Sequence, residues 1–191
     1  MSYDANYVAF LRGINVGGHR VTMGRLRELF GEMGFGAIST FLASGNVHFS
    51  SESMDAGETR TTIEAELADA LGYAVEAFLR TPARLAEIME YWAAPGSAVP
   101  EWSAAEGAAH YVLFFHAPAP EPLRSALAGL ESDTDRFHFD GSEVHWWIRG
   151  KMSDSPLFGG ALERALRGFP NTRRNMNTVR RIVAKVSPPS G

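Results

Sequence analysis

One stretch combines residue types and spacing that suit chemistry on an anion. It is Arg12-Gly13-Ile14-Asn15-Val16-Gly17-Gly18, set directly after the apolar run Tyr7–Leu11. A guanidinium is a planar fork that matches phosphate or carboxylate. Glycine backbone approaches a ligand closely and can turn N–H groups toward it. The stretch leads into a predicted helix, whose N-terminal end favours negative charge. A second short stretch, Ser44-Gly45-Asn46, falls at a predicted hairpin turn. The candidate ligand-binding set is therefore Arg12, Gly13, Asn15, Gly17, Gly18, Ser44, Gly45 and Asn46. Arg12 would grip the anion, the Gly17 and Gly18 amides would cradle it, and Asn15 and Asn46 would orient it. The rival reading is a tightly turned loop, with Arg12 paired to a carboxylate and Asn15 bonded to backbone.

The elements that must position these residues follow from periodicity. Tyr7–Leu11 is continuously apolar and reads as a strand buried on both faces. Leu26, Leu29, Phe30 and Met33 have helical spacing, with Gly34 as C-terminal cap. Ser39–Ser50 reads as a hairpin. Ile63, Leu67, Ala70 and Leu71 share a helix face, Tyr73–Arg80 is a strand, and Thr81 caps a helix that opens on Pro82. Ser51–Thr59 reads as a mobile loop and the C-terminal Ser-Pro-Pro-Ser-Gly as a frayed tail.

The pattern then repeats. NYVAFLRG (Asn6–Gly13) resembles HYVLFFHA (His110–Ala117), TFLASGNVHF resembles RFHFDGSEVHW, and AELADALGY resembles ALERALRGF, in the same order. Each copy reads β-α-β-β-α-β, the ferredoxin-like split βαβ unit. The expected fold class is α+β: a tandem duplication of ferredoxin-like βαββαβ subdomains with mainly antiparallel sheets and trailing helices. Residues 1–94 form the first repeat, 95–108 a linker, and 109–191 a second repeat with a C-terminal helix. The first strand and the hairpin turn share one end of such a sheet, which brings RGINVGG and SGN together. The second copy has only HAPAPEP at the equivalent place, so the asymmetry points at copy one.

Composition sets the outer limits. The chain has 191 residues, no cysteine, 45% hydrophobic and 21% charged residues, and a formal net charge of −4. Disulfides, thiolate metal sites and cysteine nucleophiles are thereby excluded. No secretory leader or membrane-length apolar run is read, so the expectation is a cytoplasmic protein without membrane partners. The acidic balance argues against whole-protein attraction to nucleic acid. Arg164, Arg167, Arg173, Arg174, Arg180, Arg181 and Lys185, however, make the C-terminal segment basic with no acid among them. That segment supports nucleic-acid binding as the alternative to an anionic small molecule. A third reading is an interaction module that meets a partner through Tyr91, Trp92 and the linker.

VAFLRGINVGGHRVTMGRLRELFGEMGFGAISTFLASGNVHF and, near the end, TRRNMNTV closely resemble the two signatures of the domain of unknown function 1697 family. The resemblance spans nearly the whole chain and implies a bacterial α+β protein with duplicated subdomains. It supplies no activity. One departure is Met176, where the family pattern has tryptophan. Arg173, Arg174 and Asn175 in the second signature form a candidate second anion site. The plainer reading has Asn177 capping the last helix while Arg174 and Asn175 bind backbone.

Other constellations carry less. A two-residue turn at Gly141-Ser142 would set His138 opposite His145 and Asp140 opposite Glu143, with Phe137, Phe139, Val144 and Trp146 on the core side. Four such side chains could hold a divalent ion, but they read first as the wet face of a hairpin, and no metal is assigned. Ser44 and His48 lack a nucleophile elbow. The phosphate-loop and dinucleotide spacings are absent. No cofactor, catalytic residue or oligomeric state is assigned.

Overall fold

A computed structural model of the chain describes residues 5–42, 45–52, 55–93, 99–104 and 107–186. The elements alternate as read: β1 (Ala5–Arg12), α1 (Met23–Glu32), β2 (Gly36–Phe41), β3 (Asn46–Ser51), α2 (Ala56–Leu71), β4 (Glu76–Arg80) and α3 (Pro82–Ala93). The second copy gives β5 (Ala109–Phe115), α4 (Glu121–Ala128), β6 (Asp135–Asp140), β7 (Glu143–Ile148), α5 (Ala161–Ala165), β8 (Asn171–Asn175) and α6 (Met176–Val186). Two four-stranded antiparallel sheets result, in the orders β2-β3-β1-β4 and β6-β7-β5-β8. The two orders are the same permutation, so the duplication seen in sequence is a duplication of topology. By its contacts the chain divides into Met1–Glu87 with Ile182–Gly191, and Ile88–Arg181. Helices α3 and α6 each straddle that division.

Local signals account for the element ends. Thr22 Oγ1 accepts from the Arg25 amide at 3.1 Å and starts α1. Leu26, Leu29 and Phe30 then form its buried face, and Gly34 at φ 85° follows its last turn. Asp55 caps α2, and Gly72 at φ 75° ends it. Thr81 Oγ1 accepts from the Arg84 amide, so the predicted cap of α3 is present.

In the first unit Tyr7, Ala9 and Leu11 point into a core with Leu26, Phe30, Val47, Phe49, Ile63 and Leu67. Val8 and Phe10, on the opposite face of β1, are also fully buried. The unbroken apolar run thus marks a strand covered on both sides. In the second unit Leu113, Phe137, Val144 and Trp146 pack with Leu123, Leu127 and Leu162. Each large apolar side chain buried this way contributes about 1.5–3 kcal/mol. Asp135 is buried beside this core and fully partnered: it accepts from Trp146 Nε1 (2.8 Å), Ser155 Oγ (2.7 Å) and Thr134 Oγ1 (2.8 Å). A buried carboxylate is tolerated on such terms.

Three expectations are corrected. The 51–59 stretch is not one loop: β3 runs through Ser51, Asp55 is a helix cap and α2 opens at Ala56. The second helix expected in copy two, at ALERALRGF, is only Ala161–Ala165. Gly159 at φ 81° and Gly168 at φ 84° interrupt it on either side, and Gly160 has no side chain to cap it. Finally, α6 begins at Met176, so Asn177 lies inside it. The capping bond comes from Asn175, whose Oδ1 accepts from the Asn177 amide at 2.8 Å. The tail read as frayed, 187–191, lies outside the described residues.

Candidate functional site

The loop after β1 and the β2–β3 turn do meet, as the topology requires. The Leu11 amide donates to Gly45 O at 2.8 Å. A Cβ on Gly45 would lie 3.1 Å from the Cβ atoms of Leu11 and Ile14, and its φ is 68°. A side chain there is strained by both the contact and the backbone. Gly13 is similarly tight, with a would-be Cβ 3.2 Å from Ala74 O. The base of the loop is therefore clamped on both flanks. Its tip is open: Gly17 and Gly18, at φ 60° and 90°, have nothing within 4 Å of a would-be Cβ. His19 and Arg20 are exposed beside them, and His19 stacks on Tyr73 at 3.9 Å between ring centroids.

The polar side chains of this set are engaged within the fold. Arg12 Nη1 pairs with Glu76 Oε2 at 2.8 Å, in an exposed setting. Asn15 Oδ1 accepts from the Val21 amide at 2.9 Å, and its φ of 56° shapes the loop. Asn46 is fully buried and donates to Phe41 O at 2.8 Å. Arg12 and Asn15 thus make the contacts of the tightly turned loop. Ser44 lies outside the described residues.

At the second signature, Arg173 pairs with Glu163 at 3.2 Å and lies 5.7 Å over the Trp146 ring. Arg174 is buried, donating to Thr172 Oγ1 and to Arg173 O. Burial pulls its pKa down to about 10. Arg174 is turned into the fold, and Arg173 is engaged at its surface. Another arginine of this segment lies one turn further on, at a cleft. Arg180 is exposed and donates to Asn177 Oδ1 at 2.9 Å, and it has no ion pair among the described residues. Arg12, Arg25, Arg84 and Arg173, by contrast, each face a glutamate.

Arg180 lies at a cleft of about 360 Å³ in the second unit, lined also by Trp92, His110, Trp147, Asn175 and Asn177. None of its described lining residues is acidic. Behind it runs a chain of aromatic hydrogen bonds. Trp92 Nε1 donates to His145 Nε2 at 3.2 Å. His145 Nδ1 meets His110 Nε2 at 2.9 Å. An indole N–H only donates. His145 Nε2 is therefore the acceptor, His145 carries its proton on Nδ1 and donates to His110, and His110 keeps its own proton on Nδ1. That N–H has no acceptor among the described residues. Burial, with the positive charge of Arg180 second, pushes the His110 pKa down to about 3. The ring is neutral at physiological pH. Trp147 stacks on His110 at 4.4 Å and 16°.

The predicted facing of His138 with His145 and of Asp140 with Glu143 is present, but the set is not a wet face. Glu143 and His145 are buried, and Trp92 lies over His145 with ring centroids 4.4 Å apart. No cluster of three or more metal-ligating side chains occurs among the described residues. Sequence reasoning missed His110, Trp147 and Arg180 as a group. The β5–β7 register pairs His110 with Trp147, and the packed chain sets Arg180 at the same cleft.

Comparison with known proteins adds family and fold. The family described as "Protein of unknown function (DUF1697)" matches residues 5–145. No curated protein matches the chain. Among solved structures, a conserved bacterial protein from Streptococcus pneumoniae is similar, with a TM-score of 0.74 at 21% identity. The match covers 95% of this chain and 98% of that one, so the whole two-copy architecture is shared. Among the described residues no helix is long and apolar enough to cross a membrane.

Proposed function

Since the chain belongs to the DUF1697 family, whose description carries no activity, we propose from its own residues that it binds a phosphate- or carboxylate-bearing small molecule. The cleft at Arg180 is the site. The observation that carries this reading is a guanidinium without an ion pair among the described residues, at a cleft lined by no described carboxylate. A cleft with one sign of charge focuses the field and raises the local concentration of the opposite ion. Asn175 and Asn177 add polar groups at the rim.

The open glycine tip at Gly17 and Gly18 favours a second reading, with the anion held at the RGINVGG/SGN end of the first unit. Its Arg12–Glu76 pair is exposed. Such pairs contribute about 0–1 kcal/mol, so an incoming anion can displace Glu76. Nucleic-acid binding through the basic segment has less support, because Arg173 and Arg174 are already engaged.

Thermal-shift titration with nucleotides, sugar phosphates and acidic metabolites tests the proposal. A ligand at a hundred times its Kd stabilises by about 2.7 kcal/mol. Arg180→Gln should abolish that gain while Arg12→Ala keeps it. The opposite pattern would move the site to the loop. No stabilisation by any anion removes the proposal.

A further inference from the structure

Resting on the cleft reading above, we infer that the ligand is a small monocarboxylate with an apolar body, its carboxylate held between Arg180 and the Nδ1–H of His110. Three observations lead there. Among the described lining residues the charge is a single guanidinium, since His110 presents a neutral N–H donor rather than an imidazolium. One fork and one neutral donor match one carboxylate in charge and hydrogen-bond count. A phosphate monoester carries up to two negative charges at neutral pH and three acceptor oxygens, more than these groups satisfy. Next, much of the remaining wall is apolar: Val99, Ala108, Ala109 and Met176 line it with Trp92 and Trp147. Such a wall favours a hydrocarbon or aromatic body over a sugar. Lastly, about 360 Å³ is near the lower end of small-molecule sites.

The donor at His110 is preset from behind. Trp92 can only donate, so it holds His145 in the Nδ1–H tautomer, and His145 in turn claims His110 Nε2. His110 therefore arrives with its proton on the remaining nitrogen, so no reorganisation is needed when a carboxylate enters. Trp92 and His145 are positioning residues in this scheme. Arg180 and His110 touch the ligand.

Benzoate, benzamide and inorganic phosphate are the probes, titrated into the full chain by calorimetry and by NMR of ¹⁵N-labelled histidine. Benzoate should bind saturably and benzamide should not. Arg180 is exposed, so Arg180→Gln should fold as the wild type does, confirmed by an unchanged Tm, and should weaken benzoate at least about tenfold. Arg12→Ala should leave benzoate binding unchanged. The free protein should show neutral His110 protonated at Nδ1, and benzoate should perturb that N–H. An Nε2-protonated or charged His110, or benzoate binding that survives Arg180→Gln, overturns the inference. If phosphate binds through Arg180 as tightly as benzoate, the carboxylate assignment falls and the anion cleft stands. If no anion binds, both fall.

Discussion

Acidification gives a quantitative test of the histidine chain. In the unfolded chain His110 titrates near its ordinary value of 6.5, and in the fold its pKa is about 3. Between those limits the unfolded state binds the proton and the folded state does not. The contribution is therefore fully present above about pH 6.5 and is lost progressively as pH falls toward about 3. Taking a protein from about pH 7.5 to about pH 4.5 crosses two pH units of that window, at about 1.4 kcal/mol each. The ceiling is about 2.7 kcal/mol. Because His110 is only partly buried, water reaches part of the ring, and about 2 kcal/mol is the expected loss. His110→Gln supplies the control: an amide oxygen can still accept from His145, and the side chain does not titrate. Urea denaturation of both proteins at the two pH values isolates the term, because His48 and His138, also held below the ordinary histidine value mainly by burial, are common to both. The wild type should lose about 2 kcal/mol more than the variant. Parallel losses within about 0.5 kcal/mol would refute the buried, neutral assignment of His110.

Two further perturbations test parts of the fold that hold these sites. Asp135→Ala leaves the buried donors of Trp146 and Ser155 without their acceptor and should cost about 3–5 kcal/mol in chemical denaturation; a loss under about 1 kcal/mol would mean that water replaces the carboxylate. Gly45→Ala forces a Cβ to 3.1 Å from Leu11 and Ile14 at φ 68°, with an expected cost of about 1–3 kcal/mol and a lowered Tm. An unchanged Tm would show that the turn relaxes away from the loop.

Much of the architecture was readable without coordinates because it is written in local, periodic features. Apolar runs and helical spacings marked the elements, and Thr81 and Gly34 marked two helix ends. The repeated order marked the duplication and hence two sheets of the same strand order. Even the facing of His138 with His145 followed from one two-residue turn. The short α5 was misread because a helical apolar pattern says nothing of the glycines that end it.

The site divides along the same line. Sequence alone brought the glycine loop and the β2–β3 turn to one end of the sheet, since strand direction dictates it. It left Arg12 with two candidate partners, an external anion or an internal carboxylate. Tertiary structure supplied Glu76, which β1–β4 pairing sets directly opposite Arg12. It likewise engaged Arg173 with Glu163, turned Arg174 inward, left Arg180 at a cleft with no acid among its described lining residues, and laid Trp92 over His145. Those outcomes depend on which strand edge and which helix face come together across tens of residues. Local propensity and periodicity carry no term for that, and only the packed chain decides which charges are answered within it.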